Sequence, residues 1–382
     1  MGFEFLKFDC LGLTRTNKRK QIHNNNNNYS IDTATATEKD DDIVIMEDQA
    51  CTIVKFSWDE IKRFTMNFST SRVIGSGGFS TVYFADLTSS SSSSTTSTSK
   101  SHHHHHQFAS VKMSNGSRSV FKQELDILFR LHHRNIVNLI GYCDDPEDEI
   151  GGGGALVLEY VSNGSLQEKL HGNENEKTLI PWRKRMAIAA QLAEALEYLH
   201  DKCDTSLPVV HGDIKASNVL LDHNLNVKLC DFGSAKMGFS STVVLNSSTR
   251  SNRPRVLMGS PGYTDPHYLR TGIPSKKNDV YSLGVIVLEL ITGMEPFSSE
   301  RPTQLLTSLL GPMLNNGDVE EVSGVVDPCL GGEFDPEEAK AMLSLAAQCL
   351  RHPPTLRPSA AQILETINNH IPIYMRITNT KS

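Results

Sequence analysis

Residues 209–221 read Val-Val-His-Gly-Asp-Ile-Lys-Ala-Ser-Asn-Val-Leu-Leu, and after a short polar turn residues 228–233 read Lys-Leu-Cys-Asp-Phe-Gly. The side chains with complementary chemistry in these stretches are Asp213, Lys215, Asn218 and Asp231. Phosphoryl transfer requires a carboxylate that orients a hydroxyl, a cation beside the moving phosphoryl group and two oxygen ligands for Mg²⁺. The residue types that this chemistry requires occur together in one long, ordered stretch, so chance is a poor explanation for the pattern.

Length, charge and cysteine usage limit the functions that this chain can have. A chain of 382 residues has room for one domain of about 280–300 residues with tails. The net charge of −7 gives no reason to expect a nucleic-acid partner, because nucleic-acid binding usually needs a basic face. The seven cysteines show no paired spacing, which favours reduced thiols in the cytosol. No apolar stretch predicts a membrane-spanning helix or a secretory signal, so we expect a cytoplasmic protein.

The N-terminal part of the chain has the composition of a tail. An asparagine tract at 24–28 and an acidic patch at 38–42 leave residues 1–50 with little to bury, which predicts disorder. Order is expected to begin near Phe56, where Ser57 can cap a short apolar-faced helix.

The next third of the chain has strand patterns, and the remainder has helical patterns. From β-branched and aromatic residues, strands are predicted at 72–75, 80–87, 108–113 and 155–160. A Ser-, Thr- and His-rich insert at 88–107 lies between two of them, where long polar connections are tolerated. From about residue 180 apolar residues recur at helical intervals, and later helices are predicted at 278–293, 302–315, 336–350 and 358–370.

Together these motifs resemble a protein kinase. The order and spacing of Asp213 to Asp231 are those of the family's catalytic loop and metal-binding turn. Four further segments resemble plant receptor-like kinases, and most closely the receptor-like cytoplasmic kinases: residues 56–61, 135–143, 160–166 and 259–266. The resemblance implies an α+β, two-lobed protein-kinase fold, with a small antiparallel β-sheet and one helix in the N-lobe and a mainly helical C-lobe.

The resemblance also implies domain boundaries. The kinase domain is expected over residues 56–370, with the N-lobe at about 70–160 and the C-lobe at about 161–370. Residues 371–382 are then a C-terminal tail.

The resemblance assigns a role to each polar residue of the quoted stretch. Asp213 would orient the substrate hydroxyl, and Lys215 would contact the γ-phosphoryl oxygens of ATP. Asn218 and Asp231 would hold Mg²⁺, which prefers such oxygen ligands. A lysine two positions after the catalytic aspartate is typical of Ser/Thr kinases. Asp279 would anchor the loop from the helix beneath it.

A glycine-rich turn between two predicted strands is the expected nucleotide-binding loop. Alone, such a turn is more often an ordinary hairpin, and Ser80 departs from the third glycine of the family's G-x-G-x-x-G pattern. The residues expected to contact the nucleotide are Ile74, Gly75, Ser76, Gly77, Gly78, Phe79, Ser80 and Val82.

Lys112, on a later strand, is expected to hold the α- and β-phosphates and to pair with a helical glutamate. Glu124 is the expected partner, Asp126 is the lesser candidate, and the alternative for Glu124 is a solvated helix charge. By position, Leu158 would guard the adenine pocket, and the backbone groups of Glu159 and Val161 would bind the adenine edge.

Three positions depart from the family pattern. Gly212 replaces the arginine that usually precedes the catalytic aspartate. His267 replaces a glutamate, so Arg357 is expected to lack its usual buried ion-pair partner. Ser260 replaces a threonine in the substrate-facing segment, which is a mild change.

The leading hypothesis is an ATP- and Mg²⁺-dependent serine/threonine protein kinase in plant-type receptor-like signalling. Its partners would be ATP, protein substrates and a receptor kinase at the membrane. The alternative is a pseudokinase or scaffold that relays signals by binding partners; the intact polar set favours catalysis.

Two further patterns leave alternatives open. The histidine run at 102–106 could bind a transition metal, although a solvated loop is the simpler interpretation. The motif for N-myristoylation of Gly2 has Ser or Thr at position 6, where this chain has Leu. Cys10, which lies near basic residues, could still support attachment at the inner face of the plasma membrane.

Overall fold

The computed structural model describes residues 53–77, 80–90, 107–114, 118–144, 153–172, 179–203, 207–238, 259–316, 322 and 324–370. The predictions for the tails at 1–50 and 371–382 and for the interior of the insert lie outside these residues. The histidine run, Gly2 and Cys10 lie outside them as well.

One sheet of six strands forms in the first half of the described chain. Its strands are β1 (Val54–Lys55), β2 (Val73–Ser76), β3 (Ser80–Asp86), β4 (Phe108–Ser114), β5 (Leu139–Cys143) and β6 (Ala155–Glu159). The strand order is β1-β5-β6-β4-β3-β2, and each neighbouring pair is antiparallel except β1 with β5. The sequence pattern predicts the four strands at the other edge but does not single out β1 or β5.

A short N-terminal helix packs against this sheet. α1 (Trp58–Phe64) begins after Ser57, whose hydroxyl accepts a hydrogen bond from the Glu60 amide, and the Glu60 carboxylate accepts one in return from the Ser57 amide. The predicted cap is therefore confirmed. The apolar face of α1 joins a buried cluster with alternate residues of β4. The members from these two elements are Ile61, Phe64, Ala109, Val111 and Met113.

The helix after β4 carries a carboxylate into the interior. α2 (Arg118–Leu128) buries Phe121, Leu125 and Leu128 in the main core. Glu124 shares their face, because residues three and four apart on a helix lie on the same side. Glu124 is consequently buried among apolar side chains, where its charge requires a partner.

The second half of the described chain is mainly helical. Its helices are α3 (Leu166–His171), α4 (Trp182–Glu197), α5 (Pro266–Thr271), α6 (Lys276–Thr292), α7 (Leu306–Asn316), α8 (Pro336–Cys349) and α9 (Ala360–His370). Almost every residue of α6 is buried, and α6 packs between α4 and α8, as expected for a helix that is apolar on most sides. In the described part of the chain, no helix has the length and apolar character that crossing a bilayer needs.

Two small antiparallel strand pairs carry the stretch that holds the polar motif. β7 (Val209–Val210) pairs with β10 (Lys236–Met237), and β8 (Val219–Leu221) pairs with β9 (Val227–Leu229). The residues from 211 to 218 lie between β7 and β8, and Asp231 lies between β9 and β10. Because the β8–β9 hairpin reverses the chain, it returns Asp231 to the neighbourhood of Asn218.

Arg357 lacks the usual glutamate at position 267, as the sequence indicates, but a different buried carboxylate pairs with it. The guanidinium of Arg357 donates from Nη1 and Nη2 to the Asp265 carboxylate at 2.6 and 3.0 Å. The two side chains are 1% and 0% exposed. Asp265 also caps α5 by accepting a hydrogen bond from the His267 amide at 2.8 Å. An aspartate two residues before His267 thus supplies the charge that a glutamate at 267 would have supplied.

The Asp265–Arg357 pair makes a prediction about stability. Asp265→Ala should lower the free energy of unfolding by about 3–5 kcal/mol, because it leaves a buried guanidinium without its counter-charge. His267→Glu, the matched change at the family's usual position, should shift stability by less than about 1 kcal/mol, since Arg357 is already paired. Denaturant unfolding followed by circular dichroism measures both variants. A large gain in stability from His267→Glu would show that Asp265 compensates Arg357 poorly.

A second prediction concerns the insert. The β3–β4 register runs without interruption from Ser80 opposite Ser114 to Asp86 opposite Phe108. Replacing residues 91–106 with a short glycine-containing turn should therefore keep the fold and raise stability by about 1 kcal/mol, because a shorter loop costs less entropy to close. Thermal unfolding with and without added Zn²⁺ tests this expectation. Loss of folding, or a metal-dependent rise in melting temperature that the replacement abolishes, would contradict it.

Candidate active site

A buried lysine joins three elements of the molecule. The Lys112 ammonium on β4 lies 2.6 and 2.9 Å from the two carboxylate oxygens of Glu124 on α2, and 2.7 Å from Oδ1 of Asp231. Lys112 is 8% exposed and Glu124 is 5% exposed. Asp126, the other candidate partner, instead pairs with Arg130 at 2.9 Å on the surface. The Lys112–Glu124 pair is thus present as the sequence pattern predicts.

Lys112 and Asp231 hold each other in their ionised states, whereas burial raises the pKa of the Glu124 carboxyl despite the neighbouring ammonium of Lys112. Burial alone disfavours the charged ammonium, but Glu124 and Asp231 outweigh it and raise the pKa of Lys112 above its usual value. Burial would also raise the pKa of the Asp231 carboxyl, yet the ammonium of Lys112 more than offsets it and the pKa is lowered. At neutral pH the site therefore presents a cation beside an anion, which suits phosphate oxygens and a divalent cation respectively.

Asp213 lies at the centre of a second polar cluster. Its Oδ2 accepts a hydrogen bond from the Lys215 ammonium at 2.7 Å, and its Oδ1 accepts one from the Ser260 hydroxyl at 2.8 Å. The Lys215 ammonium also donates to Ser260 Oγ at 3.2 Å. The Asn218 side-chain amide donates to the backbone carbonyl of Asp213 at 2.8 Å. Three of the predicted site residues thus meet, and Ser260 joins them from the segment at 259–266.

Asn218 and Asp231 offer the kind of oxygen atoms that a divalent cation takes. Asn218 directs its amide nitrogen at Asp213, so its side-chain oxygen is the atom suited to a cation. The Asp231 backbone is left-handed, with φ of 65°. Such a conformation costs about 1–3 kcal/mol in a residue other than glycine and tends to occur at functional sites. One carboxylate and one amide oxygen fit Mg²⁺, which usually keeps waters and shares phosphate oxygens.

A buried aspartate on α6 holds the backbone that precedes Asp213. The Asp279 carboxylate accepts hydrogen bonds from the amides of His211 and Gly212, each at 2.9 Å. His200 lies against the same carboxylate at 2.9 Å. Because α6 is the most buried helix described here, this carboxylate fixes the loop to the core, as the sequence comparison with kinases predicts.

Gly212, His211 and Phe232 fix the conformation of the loop that carries Asp213. Gly212 has φ of 79°, and a Cβ at this position would lie 3.1 Å from the carbonyl oxygen of Ser234. His211 packs against the ring of Phe232, with ring centroids 4.8 Å apart, and both are fully buried. His211 and Phe232 are therefore packing residues.

The glycine-rich turn is described at both of its ends. β2 and β3 pair Gly75 with Val82, and the Gly77 amide donates to the Ser80 carbonyl at 2.9 Å. The described members of the predicted loop are Ile74, Gly75, Ser76, Gly77, Ser80 and Val82, whereas Gly78 and Phe79 lie outside the described residues. The turn is a hairpin in the structure, so its contact with a nucleotide stays a prediction.

Glu159, at the end of β6, connects the sheet to the helical half. Its carboxylate accepts hydrogen bonds from the Lys228 ammonium on β9 and from the Asn138 amide, each at 2.8 Å. Leu158 and Val161, on either side along the chain, are buried. The side chain of Glu159 thus ties the sheet to the hairpin that precedes Asp231.

Two residues near this connection were missed by the sequence analysis. Lys228 pairs with Glu159, and Ser110 donates a hydrogen bond to the Glu159 carbonyl at 3.3 Å. Lys228 begins the quoted stretch at 228–233, but nothing in that stretch indicates its partner. For Ser110, the alternation of β4, which puts it on the same face as Lys112, is the signal that could have indicated it.

Comparison with known proteins identifies the family. Residues 68–367 match the family model for the protein kinase domain. The chain therefore belongs to the protein kinase family, whose members use ATP and a divalent metal cation and act on protein substrates. The two-lobed α+β fold that the sequence predicts is confirmed.

The chain is similar to receptor-like kinases of plants. It is 48% identical over 327 residues to a probable receptor-like protein kinase of Arabidopsis thaliana, covering 83% of this chain and 88% of that relative. It is 46% identical over 324 residues to the salt tolerance receptor-like cytoplasmic kinase 1 of Oryza sativa subsp. japonica, covering 83% and 81%. It is 33% identical over 318 residues to a putative leucine-rich repeat receptor-like serine/threonine-protein kinase of Arabidopsis thaliana, where it covers 82% of this chain and 32% of that protein.

Gly212 makes a prediction about activation. In kinases with arginine at this position, the cation disfavours the active arrangement until a phosphate on the following loop pairs with it. Glycine carries no such charge, so the active arrangement should not depend on that phosphate. Replacing the six Ser and Thr residues that follow the site by alanine should therefore change the turnover rate by less than about tenfold, which is about 1.4 kcal/mol in the activation free energy. The residues to replace, all outside the described part of the chain, are Ser240, Ser241, Thr242, Ser247, Ser248 and Thr249.

Steady-state kinetics of the six-fold variant and of the wild type in its phosphorylated form measure this effect. A loss of several orders of magnitude that one acidic substitution restores would show that another cation has taken over the role of the arginine.

Proposed function

We propose that this protein is an ATP- and Mg²⁺-dependent serine/threonine protein kinase that transfers the γ-phosphoryl group of ATP to protein hydroxyls. The observation that carries the proposal is the contact of Lys112 with both Glu124 and Asp231. That contact requires β4, α2 and the turn at Asp231 to be assembled together, which is the arrangement on which phosphoryl transfer by a kinase depends.

Each polar residue of the site has a separate role in the proposed reaction. Lys112, held by Glu124, binds the α- and β-phosphate oxygens of ATP. Asn218 and Asp231 hold Mg²⁺, which supplies charge neutralisation on the phosphates when it is bound. Asp213 accepts a hydrogen bond from the substrate hydroxyl and aligns it, and Lys215 stabilises the negative charge of the transferring group.

The hydroxyl specificity rests on the loop between β7 and β8. Lys215 lies two residues after Asp213 and within hydrogen-bond distance of both its carboxylate and Ser260. This arrangement is typical of serine/threonine kinases, and the similarity to the putative serine/threonine-protein kinase of Arabidopsis covers 82% of this chain. A serine or threonine hydroxyl of a protein is thus the proposed acceptor.

The proposed setting is receptor-like signalling on the cytoplasmic face of the plasma membrane. The similar rice protein is named a receptor-like cytoplasmic kinase, which supports a receptor kinase at the membrane as the partner of this chain. The proposed kinase domain extends over residues 56–370, because the segment from Phe56 through α1 packs in the core of the sheet although it precedes the family match.

The full-length protein should transfer radiolabelled γ-phosphate to a protein substrate or to itself in the presence of Mg²⁺. Lys112→Met, Asp213→Asn and Asp231→Asn should each lower the rate by at least about a thousandfold, because positioning and charge neutralisation supply almost all of the catalysis. Lys340→Met, a matched change at an exposed lysine of α8, should leave the rate unchanged.

Equal activity in the wild type and in all three site variants would mean that a contaminating kinase is responsible. A wild type that binds ATP without turnover would favour the alternative, a scaffold that relays signals by binding partners.

A further inference from the structure

A buried hydroxyl lies on β4 beside the residues of the proposed nucleotide site. Ser110 is 9% exposed, and its Oγ donates a hydrogen bond to the backbone carbonyl of Glu159 at 3.3 Å. That distance is long for a hydroxyl donor, whose bonds to oxygen are typically about 2.7–2.8 Å. The bond is therefore weak, and a better partner for the hydroxyl could displace it.

The position of Ser110 within β4 places it on the same face as Lys112. Ala109, Val111 and Met113 point into the cluster with α1, so Ser110 and Lys112 point to the opposite face. Lys112 on that face reaches Asp231, which shows that this face looks toward the proposed site of phosphate and metal. Ser110 lies two residues from Lys112, at the end of β4 that pairs with Leu158 and Glu159 of β6.

The other charged groups near this position are already engaged. The Glu159 carboxylate is bonded to Lys228 and to the Asn138 amide. The Lys112 ammonium is bonded to both Glu124 and Asp231. Beside the Glu159 carbonyl, the Ser110 hydroxyl is thus a polar side-chain group whose bond can be exchanged at little cost.

A hydroxyl differs from a backbone carbonyl in that it can rotate between donating and accepting. A carbonyl at the edge of a base pocket accepts from the exocyclic amino group of adenine but repels the exocyclic oxygen of hypoxanthine or guanine. A neighbouring hydroxyl can accept from the amino group or turn and donate to the oxygen. We propose that Ser110 reads the exocyclic group of the purine and widens the nucleotide specificity of this kinase to include bases with an exocyclic oxygen; the inference rests on the proposed function, because it presumes a purine nucleotide at Glu159.

Nucleotide binding by the full-length protein tests the inference. The probes are the Mg²⁺ complexes of ATP and inosine triphosphate, whose base carries the exocyclic oxygen without the additional amino group of guanine. Isothermal titration calorimetry on the Asp213→Asn background measures both dissociation constants without turnover. Ser110→Ala should raise the ratio of the inosine triphosphate constant to the ATP constant about tenfold, because the oxygen then faces a carbonyl with no donor.

Ser110→Thr is the matched control, because it keeps the hydroxyl and suits a strand. The ratio of dissociation constants in this variant should stay within about threefold of the parent ratio, even if the added methyl group weakens the binding of both nucleotides equally. If the alanine variant failed to fold, Ser110→Cys would retain the side-chain volume while removing the strong donor, and its ratio should rise as well.

The outcomes separate this inference from the proposed function. An unchanged ratio in Ser110→Ala, with ATP still bound, would mean that the hydroxyl only satisfies the Glu159 carbonyl, and it would overturn the inference alone. A ratio that rises equally in Ser110→Thr and Ser110→Ala would also overturn it, since the shape of the side chain and not its hydroxyl would then determine the preference between the two nucleotides. A parent protein that binds neither nucleotide would overturn the proposed function and the inference with it.

Discussion

The buried ion cluster of Lys112, Glu124 and Asp231 is the constraint on which the site depends. Removing an ammonium from water costs several kcal/mol, so a lysine this buried needs carboxylates at bonding distance. The two carboxylates come from α2 and from the turn after β9, which are far apart in the sequence. The sheet, the helix and the turn at Asp231 must therefore assemble together for the charge to be compensated. The same requirement makes the arrangement sensitive to the loss of any one member.

A second buried carboxylate has the corresponding role in the helical half. Asp279 projects from α6, the helix with the most complete burial, and accepts the amides of His211 and Gly212. The loop that carries Asp213 is thus bonded to the most rigid part of the core. Ser260 then connects this loop to the segment before α5, which in turn is held by the Asp265–Arg357 pair. Catalytic geometry in this protein rests on a chain of buried polar contacts and not on apolar packing alone.

The departures from the family pattern are absorbed in different physical ways. At His267 the lost negative charge is replaced by Asp265, which lies two residues earlier and already faces the interior as a helix cap. At Gly212 the lost positive charge is not replaced. The glycine instead allows the backbone to adopt a positive φ beside the carbonyl of Ser234. The first substitution changes which residue pairs with Arg357. The second removes a cation whose usual purpose is regulatory.

The sequence by itself determined the family and the two-lobed fold, and it singled out the polar residues of the candidate site, since their order and spacing along the chain match what phosphoryl transfer requires. The resemblance to protein kinases also indicated Glu124 as the partner of Lys112. Only the tertiary structure decided that Asp265 pairs with Arg357, that Lys228 binds Glu159 and that Ser110 faces the Glu159 carbonyl. These contacts join residues from 49 to 92 positions apart in the sequence. Local patterns specify which face of a helix or strand is buried, whereas the choice of a distant partner depends on how those faces meet.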